Sequence, residues 1–308
     1  MPEGDSLFRL AHRLRPLLAG QTLTHAELRV PAHATADLTG WTVAAVEPRA
    51  KYLLIRLTPP ADRAAGGAEP LTLLSHLKME GRWVATALTD RWPAPGWQVR
   101  AVLETAEHRF VGAQLGLLEL IRTADEQQRL GFLGPDLLDP AWDVQPGPDG
   151  ERPSGRLLAE SVARLTADPS RPVGLALLDQ RLVSGIGNIY RCESLLLAGI
   201  DPHRPVGQVE DVAGLVELNR SLLKANCPPY APSSSSPRRT TGVRPDEDSP
   251  FGVEVVLGAP PAPRTPNYWV YGRERQGCLR CRGPVTREEF GSPEDDARRL
   301  FWCRTCQR

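Results

Sequence analysis

The sequence predicts an α+β chain in three parts: a helix leading into a layered β-rich segment, then a helical segment, then a short tail held by a metal. Three observations predict it. Apolar residues at helical spacing open the chain, and a row of short β-type runs follows them. Helical periodicity returns after a break rich in Pro, Gly and Asp. Two Cys-x2-Cys pairs close the sequence. At 308 residues the chain has room for two or three domains.

The first helix rests on Leu7, Phe8, Leu10, Ala11, Leu14, Leu17 and Leu18, with Gly20 as its stop and Pro16 bending or shortening it. Residues 41–47, 52–57, 71–77, 99–104 and 116–121 read as strands separated by Gly/Pro loops, which points to a sandwich or barrel. Residues 139–153 read as a linker. Helices are expected over 156–167, 173–179, 189–198 and 209–225. Residues 226–266, rich in Pro, Ser, Arg and Gly, read as a second, long and mobile linker. The expected division is 1–135, 150–226, a linker at 227–266, and a finger at 267–308.

Composition narrows the function classes. Apolar residues at 41% and charged residues at 24% describe an ordinary globular chain. No run approaches about 18 uninterrupted apolar residues, so no membrane helix is expected. The start Met1-Pro2-Glu3-Gly4-Asp5 lacks the basic region of an export signal. The expected setting is therefore the cytoplasm. The net charge is zero, with 37 basic and 37 acidic residues, which leaves open a basic face opposite an acidic one. Only Lys51, Lys78 and Lys224 are lysines.

Cys278-x2-Cys281 and Cys303-x2-Cys306 are two tight turns, each offering two thiolates. In a chain without an export signal this pattern points to one four-thiolate Zn2+ site, the alternatives being an iron–sulfur or redox role or no metal. With all four positions filled by protein, such a zinc is structural, and it supplies folding energy to a segment too short for a core. Residues 264–308 hold ten basic and six acidic residues, suited to phosphate or simply a solvated surface. Cys192 and Cys227 belong to no pair and read as plain thiols.

Three further places carry chemistry. In Ser184-Gly185-Ile186-Gly187-Asn188-Ile189-Tyr190, Asn188 sits near a helix start, either as a phosphate-facing donor or as an ordinary cap. Pro2 becomes the first residue if Met1 is removed, leaving a secondary amine of low basicity beside the Glu3 carboxyl. Such an amine can form a Schiff base, though Met-Pro starts are common without any such role. Lys51, in Arg49-Ala50-Lys51-Tyr52, reaches a phosphate or is a surface lysine.

In their order along the chain, four features resemble the formamidopyrimidine-DNA glycosylase/endonuclease VIII family. They are Pro-Glu-Gly at the start, Arg-Ala-Lys-Tyr-Leu-Leu around Lys51, Asp-Gln-Arg-Leu-Val-Ser-Gly-Ile-Gly-Asn-Ile-Tyr ending at Tyr190, and the terminal four-cysteine finger. The likeness covers nearly the whole chain. It implies a helix on a β-sandwich, a helix–two-turn–helix domain and a zinc hairpin, with damaged duplex DNA in the cleft between two lobes.

The implied activity is that of a monomeric bacterial repair enzyme, working at the nucleoid, which releases a damaged base and then cleaves the strand by β,δ-elimination. By resemblance, Pro2 is the Schiff-base nucleophile and Glu3 the acid. Lys51 grips a phosphate, Asn188 contacts the same backbone, and Arg298 is the finger arginine that assists the second elimination, with Arg299 adjacent. Met79, in Ser75-His76-Leu77-Lys78-Met79-Glu80-Gly81-Arg82, resembles the wedge that fills the gap left by an extruded base; its alternative is a core position. Arg109 and Phe110, in a segment that only loosely matches the partner loop, receive no intercalating role.

Gly4 is similar to the endonuclease VIII branch, whereas the Met79 segment is more like the purine branch. The expected substrates are oxidised pyrimidines, the alternative oxidised purines. Two rivals are a DNA-binding protein without chemistry on the same scaffold and a Schiff-base enzyme acting on small aldehydes.

Overall fold

A computed structural model of the chain describes residues 2–145, 153–231, 237–260, 265–292 and 295–308. The removal of Met1, the middle of the 139–153 segment, parts of the 226–266 segment and Arg264 fall outside the described residues. The chain forms two compact units, residues 1–132 and 133–308.

The first unit opens with α1 (Gly4–Leu18). Its start is fixed by the Glu3 N–H, which donates to Ser6 Oγ at 3.3 Å, so the first turn closes on itself. Leu7, Leu10, Ala11, Leu14 and Leu18 form one buried stripe. Pro16 lies inside the last turn, and the helix ends two residues later.

The strands are β1 (His25–Leu28), β2 (Thr42–Arg49) and β3 (Tyr52–Thr58). A short α2 (Ala61–Ala65) leads to β4 (Leu71–His76), β5 (Arg82–Ala87), β6 (Val99–Glu104), β7 (His108–Ala113) and β8 (Leu117–Arg122), with α3 (Glu126–Leu130) closing the unit. They form two antiparallel four-stranded sheets, ordered β2-β3-β4-β8 and β1-β6-β7-β5. Alternate residues fill the shared core: Leu53, Ile55 and Leu57 from β3, and Ala101 and Leu103 from β6, with Trp83, Phe110 and the α1 stripe.

Five strands fall within two residues of their expected places. The other three, β1, β5 and β7, escape the sequence pattern because each opens on a His or Arg. Met79 is not core: it lies 62% exposed in the β4–β5 turn.

The second unit holds α4 (Pro153–Leu165), α5 (Val173–Ala176), α6 (Asn188–Ala198) and α7 (Val212–Ala225). Their core includes Leu165, Val173, Leu177, Ile186, Tyr190, Leu195, Leu215 and Leu223. The α5 helix stops short of Asp179, whose carboxylate takes the Arg181 N–H at 3.0 Å and starts the turn. Gln180 then staples this turn, donating to Leu178 O at 2.8 Å and Ile186 O at 3.0 Å while accepting from the Gly185 N–H at 3.1 Å. Gly185 has φ +101°, a conformation that costs a side-chain-bearing residue dearly. Gly187 is the N-cap of α6.

The segment read as a linker after α7 contains an antiparallel hairpin, β9 (Val243–Pro245) with β10 (Val253–Val255). Val243, Phe251, Val253 and Val255 pack on the helical core, so the described part of this segment is anchored. The chain ends in a second hairpin, β11 (Thr286–Ser292) with β12 (Asp295–Trp302). Among the described residues no helix is long and apolar enough to cross a membrane.

Candidate active site and metal centre

In the first unit, α1 runs beside β2 in the opposite direction. Gly20 N–H donates to Val43 O at 2.7 Å, and Arg15 Nε donates to Val46 O at 3.0 Å. Followed back towards its start, the helix therefore heads for the β2–β3 turn, where Ala50 has φ +53° and Lys51 follows. Pro2 and Glu3 thus lie at the Lys51 end of the sheet. The Glu3 and Asp5 carboxyls are fully buried there, and Pro2 is half-buried.

The same end carries a residue to which the sequence alone assigned no role. His76 ends β4, opposite Tyr52 in the β3 register, with their rings edge to face at 5.0 Å. Its Nδ1 accepts the Lys78 N–H at 2.9 Å. Burial, then the charges of Lys51 and Lys78, push its pKa down to about 4. The ring is therefore neutral near pH 7, and with Nδ1 accepting, its proton sits on Nε2 as a donor. One neutral donor beside two lysines can donate hydrogen bonds to an anionic oxygen. The signal in the sequence was a histidine two residues from one of only three lysines.

Met79 stands at the tip of the next turn, β4–β5. Lys78 adopts φ +48° and lays its stem over Gly116, where a Cβ would come within 2.4 Å of Lys78 Cγ. Gln114 Nε2 donates to Glu80 Oε2 at 3.1 Å, bracing the turn from the β7–β8 side. That β7–β8 connection is only residues 114–116. Residues 108–112 lie within β7. Phe110 is fully buried, and Arg109 is engaged by Glu104 and the Asp90 carbonyl, so neither is available as a wedge.

In the second unit Asn188 is the first residue of α6, and its side chain does not cap the helix. Its Nδ2 donates to Arg299 O at 2.7 Å, and its Oδ1 accepts from the fully buried Arg191. The structure thus brings Asn188 to the finger strand that carries Arg298 and Arg299. Arg298 pairs in register with Phe290, and Arg299 is exposed, 3.6 Å from Glu289. Farther along α6, the buried Glu193 carboxylate accepts the backbone N–H groups of Trp269, Val270 and Tyr271 at 2.7, 2.9 and 2.8 Å and the Thr240 hydroxyl. Burial pushes its pKa up, against the pull of these four donors.

The sulfurs of Cys278, Cys281, Cys303 and Cys306 all lie within 4.8 Å of one another. A tetrahedral ion with metal–sulfur bonds of about 2.3 Å needs sulfurs roughly 3.8 Å apart, so this cluster can hold a metal. The separations Cys278–Cys306 at 3.9 Å and Cys281–Cys303 at 3.5 Å agree. Cys192 and Cys227 stand apart and are buried; burial pushes the Cys192 thiol up to about 11, which leaves it unreactive.

Comparison with known proteins agrees with this architecture. The chain matches the formamidopyrimidine-DNA glycosylase N-terminal domain over residues 1–115 and the formamidopyrimidine-DNA glycosylase H2TH domain over residues 147–224. A probable endonuclease 8 2 of Streptomyces coelicolor is 40% identical, with all of this chain and 94% of that protein covered. The DNA-(apurinic or apyrimidinic site) lyase Nei2 of Mycolicibacterium smegmatis is 37% identical over 100% of this chain and 99% of its own. Among solved structures, Lactococcus lactis formamidopyrimidine-DNA glycosylase bound to DNA containing an AP site has the same fold, with a TM-score of 0.68, 19% identity and 99% of each chain covered. On its two domains and its full-length relatives, the chain belongs to the formamidopyrimidine-DNA glycosylase/endonuclease VIII family, on the endonuclease VIII-like side.

Proposed function

We propose that this protein is a bifunctional DNA glycosylase and AP lyase of base excision repair, acting on damaged duplex DNA through a Schiff base at Pro2. The observation that carries the reading is the placement of Pro2 and the buried Glu3 at the head of α1, at the sheet end that also holds Lys51 and His76.

The chemistry follows from these groups. With Met1 removed, the Pro2 nitrogen lone pair forms a bond to C1′ as the glycosidic bond breaks. Its electrons leave with the base, which takes a proton. Glu3 supplies a proton to the departing base or to O4′ as the sugar ring opens. The iminium that results acidifies the C2′ proton. Its loss expels the 3′ phosphate, and a second elimination expels the 5′ phosphate. Negative charge collects on phosphate at each step, where Lys51, the His76 Nε2–H and Arg298 act as donors. Asn188 braces the strand that bears Arg298. Met79, exposed on its turn, fills the space of the extruded base.

Zinc is the metal we assign to the four-cysteine cluster, in a structural role: four thiolates suit it and leave no position for substrate. Oxidised pyrimidines are the assigned lesions, on the likeness to relatives named endonuclease 8. The protein works as a monomer on nucleoid DNA in the cytoplasm.

Borohydride trapping on DNA with an abasic site tests the reading. Wild-type protein should become covalently linked, whereas protein that keeps Met1, in which the Pro2 nitrogen is an amide, should bind the same DNA without linking or cutting. Undiminished trapping by the Met1-bearing protein would refute Pro2 as nucleophile.

A further inference from the structure

Trp97 is the most exposed large apolar side chain among the described residues, at 74%, and nothing in the proposed chemistry uses it. Its position follows from strand pairing. β5 starts with Arg82 opposite Ala113 and ends with Ala87 opposite His108. β6 starts with Val99, also opposite Ala113. The β5–β6 loop, residues 88–98, must therefore run back along the whole of β5. It delivers Trp97 to the end where the Met79 turn projects.

Gln114 ties the two places together. Its backbone N–H donates to Gln98 O at 2.8 Å, and its side chain reaches Glu80, the neighbour of Met79. Two exposed apolar side chains, Trp97 and Met79, thus share one end of the sheet.

The loop is held in a basic setting. Arg100 donates to the Trp97 carbonyl at 2.8 Å and Arg82 to the Pro93 carbonyl at 3.2 Å, while the Arg29 guanidinium lies over the Trp92 ring at 5.3 Å. With Lys78, four cations gather at this end against Glu27 and Glu80. An indole projecting from a basic rim suits an anionic polymer whose units have flat faces. The three-residue β7–β8 connection offers no aromatic beside Met79 to do this.

We propose that Trp97 is a DNA-contacting residue that stacks on a nucleotide next to the lesion, working alongside the Met79 turn. The inference rests on the proposed function and adds a second apolar contact to the same bound duplex. Stacking on an aromatic is sequence-tolerant, so Trp97 contributes affinity rather than choice of lesion.

The test is equilibrium binding of the full-length protein to a duplex carrying an uncleavable abasic analogue, measured by anisotropy across a salt series. Trp97→Ala should weaken binding about tenfold, as expected for one lost stack. Trp97→Phe should recover most of that loss. The slope of affinity against salt should stay as in wild type, whereas Arg82→Ala should lower it. Equal affinity of Trp97→Ala and wild type would overturn the inference alone. A loss accompanied by a changed salt slope would also overturn it, by making the effect electrostatic. Wild-type protein that binds no lesion duplex would overturn both this inference and the proposed function.

Discussion

Replacing Glu193 with Ala should detach the finger from the helix that supports it. In the native chain this carboxylate is fully buried and takes three backbone N–H groups, of Trp269, Val270 and Tyr271, within 2.9 Å, together with the Thr240 hydroxyl. Alanine leaves three amides with no acceptor, that of Val270 buried and those of Trp269 and Tyr271 partly so, and a fully buried orphaned donor costs about 1–3 kcal/mol. Water entry and small shifts recover part of the sum, so a net loss of about 3–5 kcal/mol is expected, in the range found when one member of a buried charged network is removed. Glu193→Gln should cost less, about 1–3 kcal/mol. Its amide oxygen still accepts, but its NH2 faces donors. Urea unfolding of the full-length protein followed by circular dichroism gives the first readout. The rate of metal release to a chelator gives the second and should rise in the same order. A Glu193→Ala protein within about 1 kcal/mol of wild type, with unchanged metal release, would refute this account.

Other outcomes are expected. The His76 ring should titrate near pH 4 by NMR. Because its folded pKa lies below the usual value of about 6.5, its contribution to stability is complete above that value and drains away as pH falls through the window down to about 4. His76→Gln should flatten this acid-side loss, and a midpoint near 6.5 would contradict burial of the ring. Cys281→Ser, or stripping the metal with a strong chelator, should unfold the finger and sharply weaken DNA binding, with one zinc per chain recovered from the native protein by atomic absorption. Glu3→Gln should slow base release by about 10²–10⁴-fold, the usual worth of a positioned acid, while leaving more activity on ready-made abasic DNA. Equal losses on both substrates would remove Glu3 from the base-release step.

Much of the candidate site was legible because its signals are local. Pro2-Glu3, the Lys51 turn and the paired cysteines are short strings whose chemistry does not depend on distant partners. The first helix was legible for the same reason, its apolar stripe being complete within one element. What the sequence hid was set by pairing across long separations. The segment around Arg109 and Phe110 has the composition of a DNA-facing loop. A tight turn at Thr105, whose N–H bonds to His108 O at 2.9 Å, instead commits it to the interior of a sheet. Trp97 reads as one more residue of a Pro/Gly loop until the return path of that loop is known. Glu193 looks like an ordinary polar position on α6, because its partners lie 47 to 78 residues away. The hairpin inside the supposed linker was hidden by the prolines and serines around it, although Val243, Phe251, Val253 and Val255 were the apolar anchors.

The bond from the Asn188 amide to the Arg299 carbonyl joins residues 111 positions apart. It joins the head of α6 to the finger strand that runs into Cys303. Loss of the proposed zinc would then loosen the seating of α6 as well as the finger itself.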